Sequence, residues 1–323
     1  MTVANFYDKW LNLWDVAEQE RRDAPKIIHE EAIQWVNTPQ DTKAGILVAP
    51  ETGFRTWGSE TMVAEIQPGW HTGRHRHGEE GIHIVEGSGF SVINGVRYDW
   101  GKGSTLWIPF GAEHQHFNTG DETARYFSLM SLSLEHLAGI AKLEQLDACG
   151  PTDTVVDAPV STDGFDDNGR RIRLWWDEAP KVAGSKEDHT HSGEVWAPQA
   201  ARGHHALWID FMQPQNGFQN VEIEISGILS DAPHSNGGKH AHMEAILYIL
   251  QGEGYSEIEG ETIHWKKGSC FHVQGPQTMH QHFCTSDEPS HMLRCSPGLR
   301  TSFYQAVAKE QFPKLWYEQS SVL

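Results

Sequence analysis

Several things are scarce in this sequence, and each scarcity narrows what the chain can be. No apolar stretch approaches the roughly 20 residues that a membrane-spanning helix needs. The opening MTVANFYDKW lacks the basic and then apolar order of a signal peptide. The expectation is a soluble, cytoplasmic protein with no membrane attachment. Basic residues are also few, 25 Lys and Arg against 44 Asp and Glu, for a formal charge of -19. Wrapping nucleic acid or docking on an anionic bilayer needs dense positive charge, so neither is expected. Only four cysteines occur, Cys149, Cys270, Cys284 and Cys295, with no C-x-x-C spacing. A chain of 323 residues can bury a core without disulfides, and reduced thiols are the expected state.

Histidine and tryptophan are abundant by contrast, with 20 and 13 copies. Many histidines come as H-x-H pairs, at 75/77, 114/116, 189/191, 240/242 and 280/282. Alternate residues of a strand share a face, so such a pair aims two imidazoles into one space. The chain also repeats itself: residues 75–104 align without a gap on residues 240–269. In that register His75, His77, Glu79, Gly87, Gly89, Ser91, Gly95 and Trp100 meet His240, His242, Glu244, Gly252, Gly254, Ser256, Gly260 and Trp265. Between the glycines, IHIVEG, FSVING and TLWIPF, and in the second copy AILYILQG, YSEIEG and CFHVQG, alternate or run apolar. They read as short antiparallel strands joined by glycine turns, and so as two tandem all-β units.

The flanks differ. Residues 4–36 carry helical apolar spacing and residues 302–318 read as a closing helix, both as packing arms at a subunit or inter-unit contact. Residues 147–204 are rich in Asp, Gly, Pro and Thr around the apolar island RIRLWW, and read as a partly ordered connection. The expected division is a helical arm over 1–45, a first unit over 46–135, a connection over 136–203, a second unit over 204–300 and a C-terminal helix or tail over 301–323.

Two further spacings identify the units. Gly69 is followed by five residues, His75-Arg76-His77, a turn and a strand ending at Gly87. Then Gly103 is followed by five residues, Pro109, one, Gly111, two, His114, three and Asn118. This resembles the two-part motif of the cupin superfamily. The second copy offers His240, Ala241 and His242, and, after Gly268 with one extra residue, His280; Gln274 and Cys284 stand near the places of the proline and asparagine. The resemblance implies two cupin barrels, of the double-stranded β-helix or jelly-roll type. It also implies metal ligands His75, His77 and His114 in the first and His240, His242 and His280 in the second. Three neutral imidazoles on one face of a divalent ion leave its other face open to substrate oxygens and dioxygen. Many cupins add a glutamate shortly after the second histidine. That slot holds Glu80 in the first copy and Ala245 in the second, and a loop one residue shorter than usual leaves Glu80 a possible fourth ligand.

Other residues have two readings each. Glu79 and Glu244, two residues after a motif histidine, either orient ligand imidazoles from behind or serve as repeated turn or salt-bridge residues. His189 and His191 lie in a charged segment that reads as solvent-exposed, and adjacent His204 and His205 would point to opposite faces. Trp107, Phe110 and Phe117 are either walls of an aromatic pocket or plain core. Arg74 and Arg76 either bind a substrate anion or, pointing outward, make surface salt bridges.

The arrangement further resembles the ring-cleaving bicupin dioxygenases for gentisate, salicylate and 1-hydroxy-2-naphthoate. The shared features are HRH, a strand ending in IVEG, the Gly95 hairpin and a second H-x-H at His114 and His116. The resemblance implies Fe(II), up to one per cupin, a small hydroxylated aromatic or enolic substrate with O2, and C-C cleavage of the ring. It also implies a hydrogen-bonding or proton-transfer role for His116, with His282 its counterpart in the second copy. Bicupin habit and the helical arm favour a homo-oligomer, a dimer or tetramer. One departure is that the strand position where those enzymes hold the substrate carboxylate with arginine is Ile82 here, and Leu247 in the second copy. The alternatives are a metal-dependent isomerase, decarboxylase or lyase working without O2, and a non-enzymatic metal- or ligand-binding cupin.

Overall fold

The computed structural model describes residues 6–183, 207–237, 239–240, 244–274, 278–297 and 320–321. His189, His191, His204, His205, His242 and the expected helix over 302–318 lie outside these residues, as does the side chain of His240. Helix is minor: α1 (Phe6–Leu11) and α2 (Leu13–Asp23) form the N-terminal arm, and α3 (Leu132–Ala138) follows the first unit. Among the described residues no helix is long and apolar enough to cross a membrane.

After the arm comes a two-residue strand, β1 (Ile27–Ile28). The first unit then holds β2 (Lys43–Ile46), β3 (Glu60–Ile66), β4 (His75–Arg76), β5 (Glu80–Glu86), β6 (Ser88–Ile93), β7 (Val96–Gly101), β8 (Thr105–Ile108), β9 (His114–Asn118) and β10 (Ala124–Met130). The connection contributes β11 (Arg173–Leu174). The second unit holds β12 (Leu207–Asp210), β13 (Ile223–Asp231), β14 (Lys239–His240), β15 (Ala245–Gln251), β16 (Glu253–Ile258), β17 (Glu261–Lys266), β18 (Cys270–Val273), β19 (His280–Cys284) and β20 (Ser290–Pro297). In each unit two antiparallel sheets face each other as in a jelly roll. Sheet β11-β8-β5-β10-β3-β2 opposes one built on β4, β9, β6 and β7, and sheet β1-β18-β15-β20-β13-β12 opposes β17-β16-β19-β14. The glycine turns fall where expected: Asn94 and Gly95 both take positive φ (49° and 79°), which the tight β6–β7 hairpin requires.

The two units are exchanged at their edges. Strand β1 precedes the first unit but pairs with β18 of the second, Ile27 opposite Phe271, while β11 precedes the second unit and pairs with β8 of the first, Arg173 opposite Leu106. Each leading segment therefore covers a sheet edge of the other unit. The long sheets stack through apolar side chains, with the Phe127 and Tyr248 rings 5.1 Å apart. Gly81 allows the approach, because a Cβ there would lie 3.0 Å from the Ile225 side chain.

Glu79 and Glu244 resolve at this contact. The buried Glu79 carboxylate accepts the backbone N–H groups of Val221 (3.0 Å), Glu222 (2.6 Å) and Ile223 (3.0 Å), at the entrance to β13, and the indole N–H of Trp107 at 2.8 Å. Glu244 accepts the N–H of Trp57, just before β3, at 3.0 Å, and meets His272 Nε2 at 2.6 Å. Each carboxylate satisfies backbone donors of the opposite unit, neither a surface salt bridge nor a support behind a motif histidine.

Candidate metal centre

Antiparallel pairing sets His75 on β4 opposite His114 on β9, with ring centroids 4.1 Å apart. His77 follows β4, and Glu80 opens β5. One ligand atom from each of His75, His77, Glu80 and His114 lies within 4.8 Å of the others, and all four residues are buried. Local backbone aims the rings: His75 Nδ1 meets the Gly73 carbonyl and His114 Nδ1 the Ala112 carbonyl, each at 2.9 Å, which turns both Nε2 atoms inward. Glu80 Oε2 lies 3.4 Å from His77 Nε2 and 3.3 Å from His114 Nε2. Ser128 on β10 donates to Glu80 Oε1 and fixes the carboxylate.

The inward atoms, His75 Nε2, His77 Nε2, Glu80 Oε2 and His114 Nε2, are buried and have no hydrogen-bond partner among the described residues. Four converging orphaned acceptors would be costly in a bare interior. Around a shared cation they are satisfied at once, and donors bound near 2.1 Å at right angles sit about 3 Å apart, close to the spacing seen. The donor set therefore fits a divalent metal. Burial, then the neighbouring imidazoles, depress the His75 pKa to about 2, which keeps the ring neutral as a ligand must be. Burial works against ionising Glu80, but contacts with His114 and His77 outweigh it and hold the carboxyl well below its usual range. The structure thus brings Glu80 into the histidine group, a membership the short loop had left open.

Strand parity supplies the walls. The residues sharing Glu80's face are Ile82 and Ile84 on β5, Leu106 and Ile108 on β8, and Tyr126, Ser128 and Met130 on β10. Tyr126 donates to Asp41 at 2.7 Å. Burial and the nearby Glu80 charge push the Asp41 carboxyl up to about 7 despite that bond. A cavity of about 290 Å³ reaches His77 between Ile46, Glu60, Met62, Met130, Leu132 and His136. Sequence reasoning missed Asp41, Tyr126 and Ser128, which lie on segments without a motif.

His116 shares the inner face with His114. Trp100 Nε1 donates to Ser91 Oγ at 2.9 Å, and Ser91 Oγ lies 2.7 Å from His116 Nδ1. We assign the His116 proton to Nε2 from this network. Burial lowers the His116 pKa to about 3.

Three expected substrate contacts fall elsewhere. Trp107 pairs with Gly81 on the outward face of β8 and belongs to the inter-unit contact through Glu79, so Leu106 and Ile108 form the wall instead. Phe117 stands three residues from His114, on the opposite parity, and stacks on Phe90 with centroids 4.6 Å apart. Arg74 points outward and pairs with Glu113 at 3.1 Å. Phe117 and Arg74 line an outer cleft of about 440 Å³, on the back of the sheet that carries the histidines. Arg76 likewise bonds Glu144, and Phe110 is exposed.

The second unit repeats part of this plan. His240 on β14 is in register with His280 on β19, as His75 is with His114. His280 Nδ1 meets the Thr278 carbonyl at 2.7 Å. Trp265, Ser256 and His282 repeat the Trp-Ser-His chain at 3.0 and 2.8 Å. Ala245 occupies the place of Glu80 on its strand.

Comparison with known proteins agrees with this architecture. The cupin domain family matches residues 62–130 and 228–294. A 5-aminosalicylate 1,2-dioxygenase of Comamonas sp. is 32% identical over 87 residues, a match spanning 27% of this chain and only 23% of that protein. A 1-hydroxy-2-naphthoate 1,2-dioxygenase of Nocardioides sp. (strain KP7) is 22% identical over 300 residues, 88% of this chain and 74% of that protein. Among solved structures, salicylate 1,2-dioxygenase from Pseudoaminobacter salicylatoxidans superposes with a TM-score of 0.59 at 14% identity, covering 97% of this chain and 84% of its own. Oxalate decarboxylase from Bacillus subtilis gives 0.59 at 13% identity, covering 84% and 77%. At such identities these structural likenesses carry the fold alone.

Proposed function

We propose that this chain, a bicupin resembling the ring-cleaving dioxygenases, is a non-haem Fe(II)-dependent dioxygenase that inserts both atoms of O2 with C-C cleavage of a hydroxylated aromatic ring. The observation that carries the reading is the buried set of four converging, otherwise unsatisfied donors at the end of a largely apolar cavity. His75, His77, His114 and Glu80 would hold the ion. Iron, when bound, supplies the electron transfer that makes dioxygen reactive towards a spin-paired aromatic ring.

The chain's own groups do the rest. Gly73 and Ala112 carbonyls and the Ser128 hydroxyl fix the donors before substrate arrives, so little reorganisation is needed. Ile82, Ile84, Leu106 and Ile108 pack the wall beside Glu80 and exclude water, and the cavity between Met62, Met130 and Leu132 offers the space for an aromatic ring next to His77. His116, with its proton on Nε2, is placed to hydrogen-bond a substrate oxygen or pass a proton to it; His282 has the same setting in the second unit. The exposed apolar side chains of the arm, including Phe6, Trp10, Leu11 and Trp14, support a homo-oligomer, a dimer or tetramer.

Glu80 also favours a second reading. A carboxylate ligand lowers the net charge of the site and leaves fewer open positions, which suits decarboxylase or lyase chemistry without O2, and the fold likeness to oxalate decarboxylase is in keeping with it. Metal analysis of anaerobically purified protein, with oxygen consumption on catechols, hydroquinones, salicylates and diketones, separates the two. Iron with oxygen uptake that disappears in His75→Ala is the expected result. Manganese or zinc with no uptake on any compound would replace the dioxygenase by the lyase reading.

A further inference from the structure

The cavity that reaches His77 has one charged wall that the metal centre does not use. Met130 on β10 pairs with Glu80 on β5 at one side and with Glu60 on β3 at the other. Strand parity therefore sets Glu60 on the same inner face as Glu80, two strands away, or about 10 Å at the usual strand spacing. Four of the residues lining the cavity are buried: His77, Met130, Thr61 and Glu60. His77 belongs to the metal centre. The Thr61 hydroxyl is occupied by Val48, donating to its carbonyl at 3.1 Å and accepting its N–H at 2.9 Å.

Glu60 is different. It is 6% exposed, and Ser133 at the start of α3 holds it, donating a backbone N–H to Oε1 at 3.1 Å. Oε2 is buried and has no hydrogen-bond partner among the described residues. An acceptor in that condition costs free energy until a donor arrives. The charge of the cavity says which donor. Glu51 and Glu60 line it, and among the described residues no lysine or arginine does. A carboxylate entering there would meet like charge without a partner, whereas a neutral or cationic donor would complete Glu60. The span between Glu60 and Glu80 leaves room for one aromatic ring with a polar group at either end.

We propose that Glu60 determines the specificity of the first unit: its carboxylate accepts a hydrogen bond from a hydroxyl or amino group on the ring, para to the oxygen that faces the histidines. The substrate is then of the hydroquinone or 4-aminophenol class, and not a ring with a carboxylate at that end. The assignment rests on the reading of the first unit as the site of ring cleavage, but it is tested by binding, which needs no dioxygen.

The full-length, metal-loaded protein is titrated calorimetrically, without oxygen, with hydroquinone, 4-aminophenol, phenol and 4-hydroxybenzoate. Hydroquinone or 4-aminophenol should bind at least about tenfold more tightly than phenol, and 4-hydroxybenzoate more weakly than phenol. The tighter of the first two names the group, hydroxyl or amine. Glu60→Gln keeps an acceptor for Ser133 but turns a donor towards the ligand. It should erase the tenfold advantage, leave phenol within about twofold and strengthen 4-hydroxybenzoate. Should Glu60→Gln fail to fold, the ligand series on the wild-type protein carries the test. The proposal is overturned if phenol or 4-hydroxybenzoate binds as tightly as hydroquinone and 4-aminophenol, if Glu60→Gln weakens all four alike, or if none of the four binds. Binding in the expected order with no oxygen uptake on any compound would leave Glu60 in its role and remove the dioxygenase.

Discussion

The first interior gathers three imidazoles and a carboxylate, whereas the second replaces that carboxylate by alanine and the serine that holds it by arginine. Outside, the same two units meet through matching carboxylates, Glu79 and Glu244, aimed at matching stretches of backbone. The difference lies in strand parity. Inward residues can be exchanged, a carboxylate for alanine (Glu80, Ala245) or serine for arginine (Ser128, Arg294), without altering the register that pairs His75 with His114 and His240 with His280. Outward residues at the inter-unit face satisfy main-chain donors of a neighbour and have far less freedom.

The sharpest way to break this comparison is to remove one histidine from each interior. His114→Ala should weaken metal binding in the first unit by about 100-fold or more, seen as the loss of one metal equivalent on dialysis. If His280→Ala costs the same equivalent instead, the roles assigned to the two interiors are reversed.

Next in size come the tethers. Glu79 serves three backbone N–H groups and an indole, and Glu244 one backbone N–H and an imidazole. Glu79→Ala should therefore cost about 3 kcal/mol in urea unfolding and Glu244→Ala about 2 kcal/mol; equal costs would show that the contact does not scale with the donors it satisfies. Ser128→Ala, which frees the Glu80 carboxylate, should weaken metal binding about tenfold without loss of stoichiometry, measured by competition with a chelator.

The smallest effect concerns protons at the inter-unit contact. Burial, then the facing Glu135 carboxyl, push Glu222 up to about 7. An acid with a raised folded-state pKa keeps its proton in the folded state after the unfolded chain has lost it. The contribution of Glu222 to stability should therefore be fully present below the ordinary carboxylate range and be lost as pH rises from about 4.5 towards about 7. Glu222→Gln should flatten that part of the profile, and an unchanged slope would assign it to other groups.

The fold and the first histidine triad were legible because the duplication prints each signal twice and because H-x-H on a strand has one geometric meaning. Glu80 was legible only as a slot, since loop length alone does not say which way a residue at a strand start faces. Asp41, Tyr126 and Ser128 reach the site from β10 and the segment before β2, and nothing in their local sequence distinguishes them from core. Phe117 could have been placed correctly: at three residues from His114 it falls on the other side of the strand. Glu79 and Glu244 announced themselves by recurring, but their partners are main-chain N–H groups more than a hundred residues away, which no side-chain pattern reveals.

The reciprocal tethers bear on symmetry. The offset that carries Glu79 onto Glu244 also carries the target of one onto the target of the other, Trp57 onto Glu222, and the exchanged strands β1 and β11 obey the same two-way rule. This is the contact of an isologous dimer. Within one polypeptide the two halves make the two-way contact that two identical subunits would make, and because they are not identical, neither half has to match the other inside.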